Sequence, residues 1–342
     1  MDANRVVVTG SSGHLGEALV RSLRALDRDV IGLDLRESPY TSFVGSTTDR
    51  DLIREVLRGA DAVIHTAALQ QPHLSSHSRE DFVQTNVSGT LALLEAAKDA
   101  DVRSFVLTSS TSAFGRALSA NSATAATWIT EEVPPVPRNV YGVTKIAAEQ
   151  LCELAAFEFG LGVVVLRVAR FFPELDDNES VRAEFSNQNV KTNEFLYRRV
   201  DLADAVDAHL LAVGAAPALG FERLIISATT PFTRQDATAL AKDAPAVVGQ
   251  VFPDQEAEYQ RRGWKMFPAI DRVYDNTRAR QILGWAPRYD FRRVLDQLKA
   301  DEEPGSPLAQ LVGAKGYHAE KSGLMTKPSV QAGSYRRVPA VE

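Results

Sequence analysis

Thr9-Gly10-Ser11-Ser12-Gly13-His14-Leu15-Gly16 is the stretch whose reading decides the fold. It follows the β-branched run 5–8 directly and leads into residues 15–26, where apolar side chains recur at helical spacing. Glycines at positions 10, 13 and 16 permit a tight turn, close approach of backbone to a pyrophosphate, and close helix–strand packing. The helix start offers N–H groups and a positive dipole end to phosphates, so Gly10, Ser12, Gly13, His14, Leu15 and Gly16 are candidate binding residues. A spaced glycine triplet alone also occurs in plain structural turns, so the surrounding pattern has to decide.

Working outward, short Val/Ile/Leu-rich runs at 29–33, 62–65, 104–108 and 162–167 read as strands buried on both faces. Between them 49–58, 81–100 and 141–159 show helical spacing, with Asp49 as an N-cap. Strands alternating with helices predict an α/β fold, a doubly wound parallel sheet. After Arg167 the pattern changes. Residues 172–193 read as polar and irregular, 200–213 as a helix capped by Asp201, 223–227 as a strand, and 232–242 and 276–283 as helices. Residues 1–168 are expected to form the cofactor-binding domain. Residues 169–301 form a small discontinuous C-terminal substrate part, of which about 200–228 return to the sheet. From about 302 to 342 the chain is poor in apolar residues and reads as a flexible tail, or one docked extended on the body or on a second subunit.

Of 342 residues 44% are hydrophobic and 24% charged, ordinary for a soluble globular protein. A net charge of -6 gives no reason to expect nucleic acid or an anionic membrane as partner. The apolar stretch 161–165 is far too short to span a bilayer, and the N-terminus lacks an apolar signal region, so a cytoplasmic protein is expected. Cys152 is the single cysteine, which excludes an internal disulfide framework and any multi-cysteine metal site.

Asp34 ends the second strand, where a carboxylate accepts hydrogen bonds from adenosine ribose hydroxyls and repels a 2′-phosphate. The expected cofactor is therefore NAD rather than NADP, with Arg36 two residues on as the one feature that could partly admit NADP. Tyr141 and Lys145 stand four apart at the start of a long helix and share a face. A free tyrosine titrates near ~10 and is a poor base at neutral pH. A neighbouring ammonium and a positive nicotinamide ring would favour the phenolate; a drop of ~3 units needs about 4 kcal/mol. Thr108-Ser109-Ser110-Thr111-Ser112 follows the fourth strand, at the carboxyl edge where open α/β sheets bind ligands.

With these residues assembled, the chain resembles the extended short-chain dehydrogenases/reductases of the NAD-dependent epimerase/dehydratase family. The glycine turn, Asp34, Val63-Ile64-His65-Thr66-Ala67-Ala68, Asn86-Val87-Ser88-Gly89-Thr90, the serine-rich strand end and the Tyr-x-x-x-Lys pair all match that pattern. So do residues 275–280 and Leu283-Gly284-Trp285-Ala286-Pro287, extending the likeness over roughly residues 4 to 300. The resemblance implies a Rossmann domain, Tyr141 as acid/base, Lys145 on the nicotinamide ribose, and Ser110 as hydroxyl partner, with Ser112 as the alternative. It also implies that Ala67, Ala68, Asn86 and Thr108 line the cofactor cleft, and that helices 81–100 and 141–159 form a homodimer interface.

Departures from the pattern narrow the substrate. Ser46 stands where the family usually has an Asp facing adenine, Arg170 where it has an Asn facing a sugar nucleotide, and Thr111-Ser112 where dehydratases carry an Asp-Glu pair. The segment between Pro173 and Asp201 is short for a nucleotide-sugar enzyme, and the arginine that commonly contacts the diphosphate is replaced within Asn193-Glu194-Phe195-Leu196. The leading expectation is an NAD-dependent oxidoreductase acting at a secondary alcohol or carbonyl of a small sugar-like substrate, with Gln70, Ser112 and Arg170 as candidate substrate contacts. Arg170 reads equally well as a structural ion pair with Glu174 or Asp176. The alternatives are a nucleotide-sugar 4-epimerase with tightly held NAD and a non-catalytic NAD-binding protein.

Overall fold

The computed structural model describes residues 5–119, 124–316 and 336–338. Its strands are β1 Arg5–Thr9, β2 Asp29–Asp34, β3 Phe43–Val44, β4 Ala62–His65, β5 Ser104–Ser110, β6 Thr127–Ile129, β7 Gly162–Val168, β8 Phe221–Ile226, β9 Arg272–Tyr274 and β10 Arg336–Arg337. Eight of them make one sheet in the order β10-β3-β2-β1-β4-β5-β7-β8, parallel except for β10 against β3. β6 and β9 form a separate parallel pair. Because the strand order reverses on either side of β1, the loops after β1 and β4 diverge and leave a crevice at their carboxyl ends.

The helices are α1 His14–Ala25, α2 Arg50–Val56, α3 Arg79–Val83, α4 Gly89–Asp99, α5 Val140–Phe159, α6 Glu179–Glu184, α7 Asn187–Glu194, α8 Leu202–Leu219, α9 Ala237–Lys242, α10 Ala244–Val251, α11 Gln255–Arg262, α12 Thr277–Leu283, α13 Phe291–Lys299 and α14 Pro307–Val312. On one face of the sheet Val6, Val8, Ile64, Val164 and Leu166 pack against α1 and α8; on the other, Val7, Val63, Phe105 and Val165 pack against α2, α4 and α5. The alternation of neighbouring strand residues between two cores explains why the strands read as continuous apolar runs. A third core, including Phe195, Leu240, Phe267 and Phe291, gathers α7, α9, α10 and α13 beside the sheet's carboxyl edge.

The structure corrects several expectations. Residues 81–100 are not one regular helix: a single π-helical stretch, Gln84–Ser88, separates α3 from α4 and carries Asn86. Residues 172–193 are not wholly irregular, since α6 and α7 form there, capped by the side chains of Asn178 and Ser186. The helix expected to stop at 213 continues to Leu219 through Pro217. Pro217 has no N–H for the Val213 carbonyl; the Ser104 hydroxyl donates to that carbonyl instead, at 2.8 Å. α8 is also an 18-residue helix of mean hydropathy 1.3, a longer apolar element than 161–165; over half of it is buried inside the molecule. The described start of the tail is docked and partly helical, with α14 capped by Ser306 and Lys315 N–H donating to Glu174 at 2.8 Å, while Arg336–Arg337 dock extended against β3, one of the arrangements the sequence offered.

Candidate active site

The turn after β1 is held by its glycines. Gly10 adopts φ +72°, and a Cβ there would stand 2.8 Å from the Ala67 nitrogen. At Gly16 a Cβ would lie 1.9 Å from the Gly10 carbonyl oxygen, so only glycine lets α1 start this close to the turn. α1 begins after Gly13 with no side chain accepting from its first N–H groups, whereas Asp49, Asn139, Ser186, Asp201 and Asp290 cap α2, α5, α7, α8 and α13. Gly10, Gly13, His14, Leu15 and Gly16 line a cleft there, and the uncapped helix start fits a pyrophosphate.

The cleft continues along Asp34, Arg36, Ser46, Ala67, Ala68, Gln70 and Thr108. Asp34 accepts hydrogen bonds from the backbone N–H groups of Ser12 and Arg36, both at 3.0 Å, which fix the carboxylate at the strand end. Burial raises its pKa above the usual value against those hydrogen bonds. Two expected lining residues spend their polar groups on the protein itself. Ser12 supplies its N–H to Asp34, and Asn86, 2% exposed, is fully engaged elsewhere. Its amide donates to the Leu69 carbonyl at 2.9 Å and the Thr144 hydroxyl at 3.0 Å, and accepts from Leu69 N–H at 2.8 Å. Asn86 therefore ties the 66–70 wall to α5, and the π-helical turn is what aims it there.

Asn139 caps α5 by accepting from Gly142 N–H at 3.0 Å, which sets Tyr141 and Lys145 on the face towards β5. Tyr141 is buried and hydrogen-bonded to Ser110; burial pushes its phenol up to about 12, with the Ser110 contact pulling the other way. Desolvation of the anion outweighs the Ser110 hydrogen bond, so these two effects by themselves favour the protonated phenol. Lys145 Nζ donates to the Thr108 carbonyl at 2.7 Å. Burial lowers the Lys145 amine to about 8, while the charge of Glu149 opposes the fall.

These groups open into a second cavity, continuous with the first through Thr66, Ala68, Gln70, Thr108, Phe171 and Phe172. Gln70, Ser110, Ser112, Tyr141, Lys145 and Arg170 all line it, so the expected catalytic and substrate residues converge on one space. Arg170 is already paired, with Asp176 at 2.8 Å and Glu194 at 3.4 Å. Glu194, 1% exposed, also meets Arg198 at 2.9 Å and Arg199 at 2.8 Å. Burial opposes its ionisation, but the three guanidiniums outweigh it and hold the carboxyl at about 2. Asn193, Phe195 and Leu196 are buried too, and none of residues 193–196 faces this cavity. Asp176, one of the two partners the sequence offered for Arg170, shares this wall; sequence reading missed Arg198 and Arg272, which also share it, because they follow no spacing rule.

Residues 6–216 match the NAD dependent epimerase/dehydratase family. The chain is 27% identical to a UDP-glucose 4-epimerase of Streptomyces lividans, over 86% of this chain and 95% of that one. It is 30% identical to an L-arabinose 1-dehydrogenase (NAD(P)(+)) of Haloferax volcanii, over 52% of this chain and 73% of the relative. In fold it resembles a short-chain dehydrogenase/reductase superfamily protein of Agrobacterium tumefaciens solved with bound NAD, with TM-score 0.62, 23% identity, and coverage of 86% of this chain and 96% of that one. With the family matched over more than half its length and a cleft that fits a dinucleotide, the chain belongs to the NAD dependent epimerase/dehydratase family and is an enzyme whose cofactor is NAD.

Proposed function

We propose that this enzyme oxidises a secondary alcohol, or reduces the matching carbonyl, on a small polar sugar-like substrate, using Ser110, Tyr141 and Lys145. The observation that carries the proposal is the convergence of those three side chains on a cavity that opens directly into the cofactor cleft. When bound, NAD supplies the hydride acceptor, or NADH the donor. The uncapped start of α1 would hold its pyrophosphate and Asp34 its adenosine ribose, and the Asp34 charge favours NAD over NADP. Ser110 Oγ orients the substrate oxygen, and Tyr141 Oη takes the alcohol proton or returns it to the carbonyl oxygen. With its phenol at about 12, Tyr141 is ready to donate. Oxidation requires that proton to leave first, so the oxidative rate is expected to rise with pH and the reductive rate to fall.

Two features support a small substrate: residues 193–196 are committed to buried packing, and the L-arabinose dehydrogenase relative is named for a free sugar. The relative matched over 86% of the chain favours a second reading, a nucleotide-sugar 4-epimerase. A screen of aldoses, sugar acids and UDP-sugars with added NAD separates the two. Stoichiometric NADH formation with a free sugar is the expected result; turnover of a UDP-sugar alone, with no net NADH, would establish the epimerase instead. A homodimer is part of the proposal, supported by Phe157, 89% exposed on α5, with Leu154 and Val143 exposed on the same helix.

A further inference from the structure

Three consecutive residues at the end of β5 each engage α5. The Thr108 carbonyl accepts from Lys145 at 2.7 Å, Ser109 Oγ donates to Glu149 at 2.5 Å, and Ser110 meets the Tyr141 phenol. The outer two contacts belong to the site described above; the middle one is unassigned. Glu149 lies one helical turn beyond Lys145 and is 1% exposed. Arg167 of β7 grips it with Nε at 3.1 Å and Nη2 at 2.8 Å, and Arg223 of β8 stands 3.0 Å away. Arg167 is itself buried, its guanidinium over the Phe114 ring at 4.7 Å.

We infer that Glu149 is a positioning residue: clamped by Ser109 and Arg167, it docks the helix bearing Tyr141 and Lys145 against the strand end bearing Ser110, and its buried charge balances the Lys145 ammonium. The inference rests on the catalytic reading of that trio. Without Glu149 the space would hold Lys145, Arg167 and Arg223 as cations, and the one among them that readily sheds its proton is Lys145. Among the described residues, the other titratable groups facing Lys145 are His65 of β4 and Tyr141 and Cys152 of α5, all buried and none an anion at neutral pH.

Glu149→Gln keeps the shape and removes the charge. NAD affinity of the native and variant proteins, measured across pH without substrate, reports the Lys145 titration. The alkaline midpoint, near 8 in the native protein, is expected to fall by about 1 unit in Glu149→Gln and to return in Glu149→Asp. With substrate at pH 7, kcat is expected to fall about tenfold with KM within about twofold. Ser109→Ala removes only the tether; its kcat should drop about fivefold with the midpoint in place, and it carries the test should Glu149→Gln not fold. An unmoved midpoint in Glu149→Gln, identical midpoints in the Gln and Asp variants, or a native kcat in Ser109→Ala overturns the inference. Because the affinity titration uses no substrate, it stands even if the proposed reaction fails, which would show as native turnover in Tyr141→Phe.

Discussion

The cofactor cleft and the substrate cavity adjoin, yet they are built on different principles. The cleft takes its form from backbone: Gly10 and Gly16 at approaches no side chain allows, the open N–H groups of α1, and one carboxylate fixed by two N–H donors. The cavity beyond Tyr141 takes its form from side chains of segments distant in sequence. Its charges are largely neutralised before any substrate arrives, as in the Arg170–Asp176 and Arg198–Glu194 pairs. Backbone recognition suits a ligand with a fixed diphosphate. A paired arginine cluster suits discrimination, because a substrate group must compete with a carboxylate already in place.

The largest expected effect lies where the two regions meet. Tyr141→Phe should lower kcat by about 10³-fold while leaving the Kd for NAD within about twofold, since the phenol moves a proton and bears little of the cofactor's binding. Steady-state rates and calorimetry on the same preparation check both halves of that statement. On the substrate side, Glu194→Ala leaves the buried Arg199 and the partly exposed Arg170 and Arg198 without their shared carboxylate and should cost about 3 kcal/mol of stability, read from denaturant melts. A loss under about 1 kcal/mol would mean that the cluster is solvated and the contrast drawn above is wrong. On the cofactor side, Asp34→Ala should weaken NAD about 100-fold through lost hydrogen bonds to a charged group, and NADP far less, narrowing the preference between them with the fold intact.

Acid sharpens the comparison further. Burial lowers His65, beside the cofactor wall, to about 3 and His209, in α8, to about 4. Between those values and 6.5 the unfolded chain binds protons that the folded one refuses. Stability should therefore decline as pH falls below 6.5, by about 1.4 kcal/mol per unit for each histidine. Glu194, held at about 2 against an ordinary 4.5, keeps its full stabilising contribution above 4.5 and loses it only as pH falls from there towards 2. Asp204, which burial raises to about 6, offsets one histidine between that pH and 3.8. Unfolding free energies at stepped pH should therefore show the decline first between 6.5 and 6, and His209→Gln should remove about 1.4 kcal/mol per unit from it.

Much of the site was legible because it is local. The turn at 9–16 with Asp34, and Tyr141 with Lys145, are patterns of spacing within one strand–turn–helix unit or one helical turn, and they fall where expected. Glu149 obeys the same four-residue spacing after Lys145, so its place on the catalytic face could have been read from the chain alone. Asn86 could not. Its aim depends on an extra residue in one helical turn and on partners 17 and 58 positions away. Helices α6 and α7 were obscured for another reason: they are short and polar, and hold through caps and a third core rather than through an apolar stripe of their own.

By itself the sequence determined the parallel sheet, the dinucleotide turn, the identity of the cofactor and the phenol–amine pair, because periodicity and fixed spacing are properties of contiguous residues. The tertiary structure alone decided the burial of that phenol and which of the carboxylates offered by the sequence pairs with Arg170. It likewise decided which expected lining residues spend their polar groups on the protein itself. Burial and ion pairing depend on everything that surrounds a group, and no neighbouring stretch of chain records that.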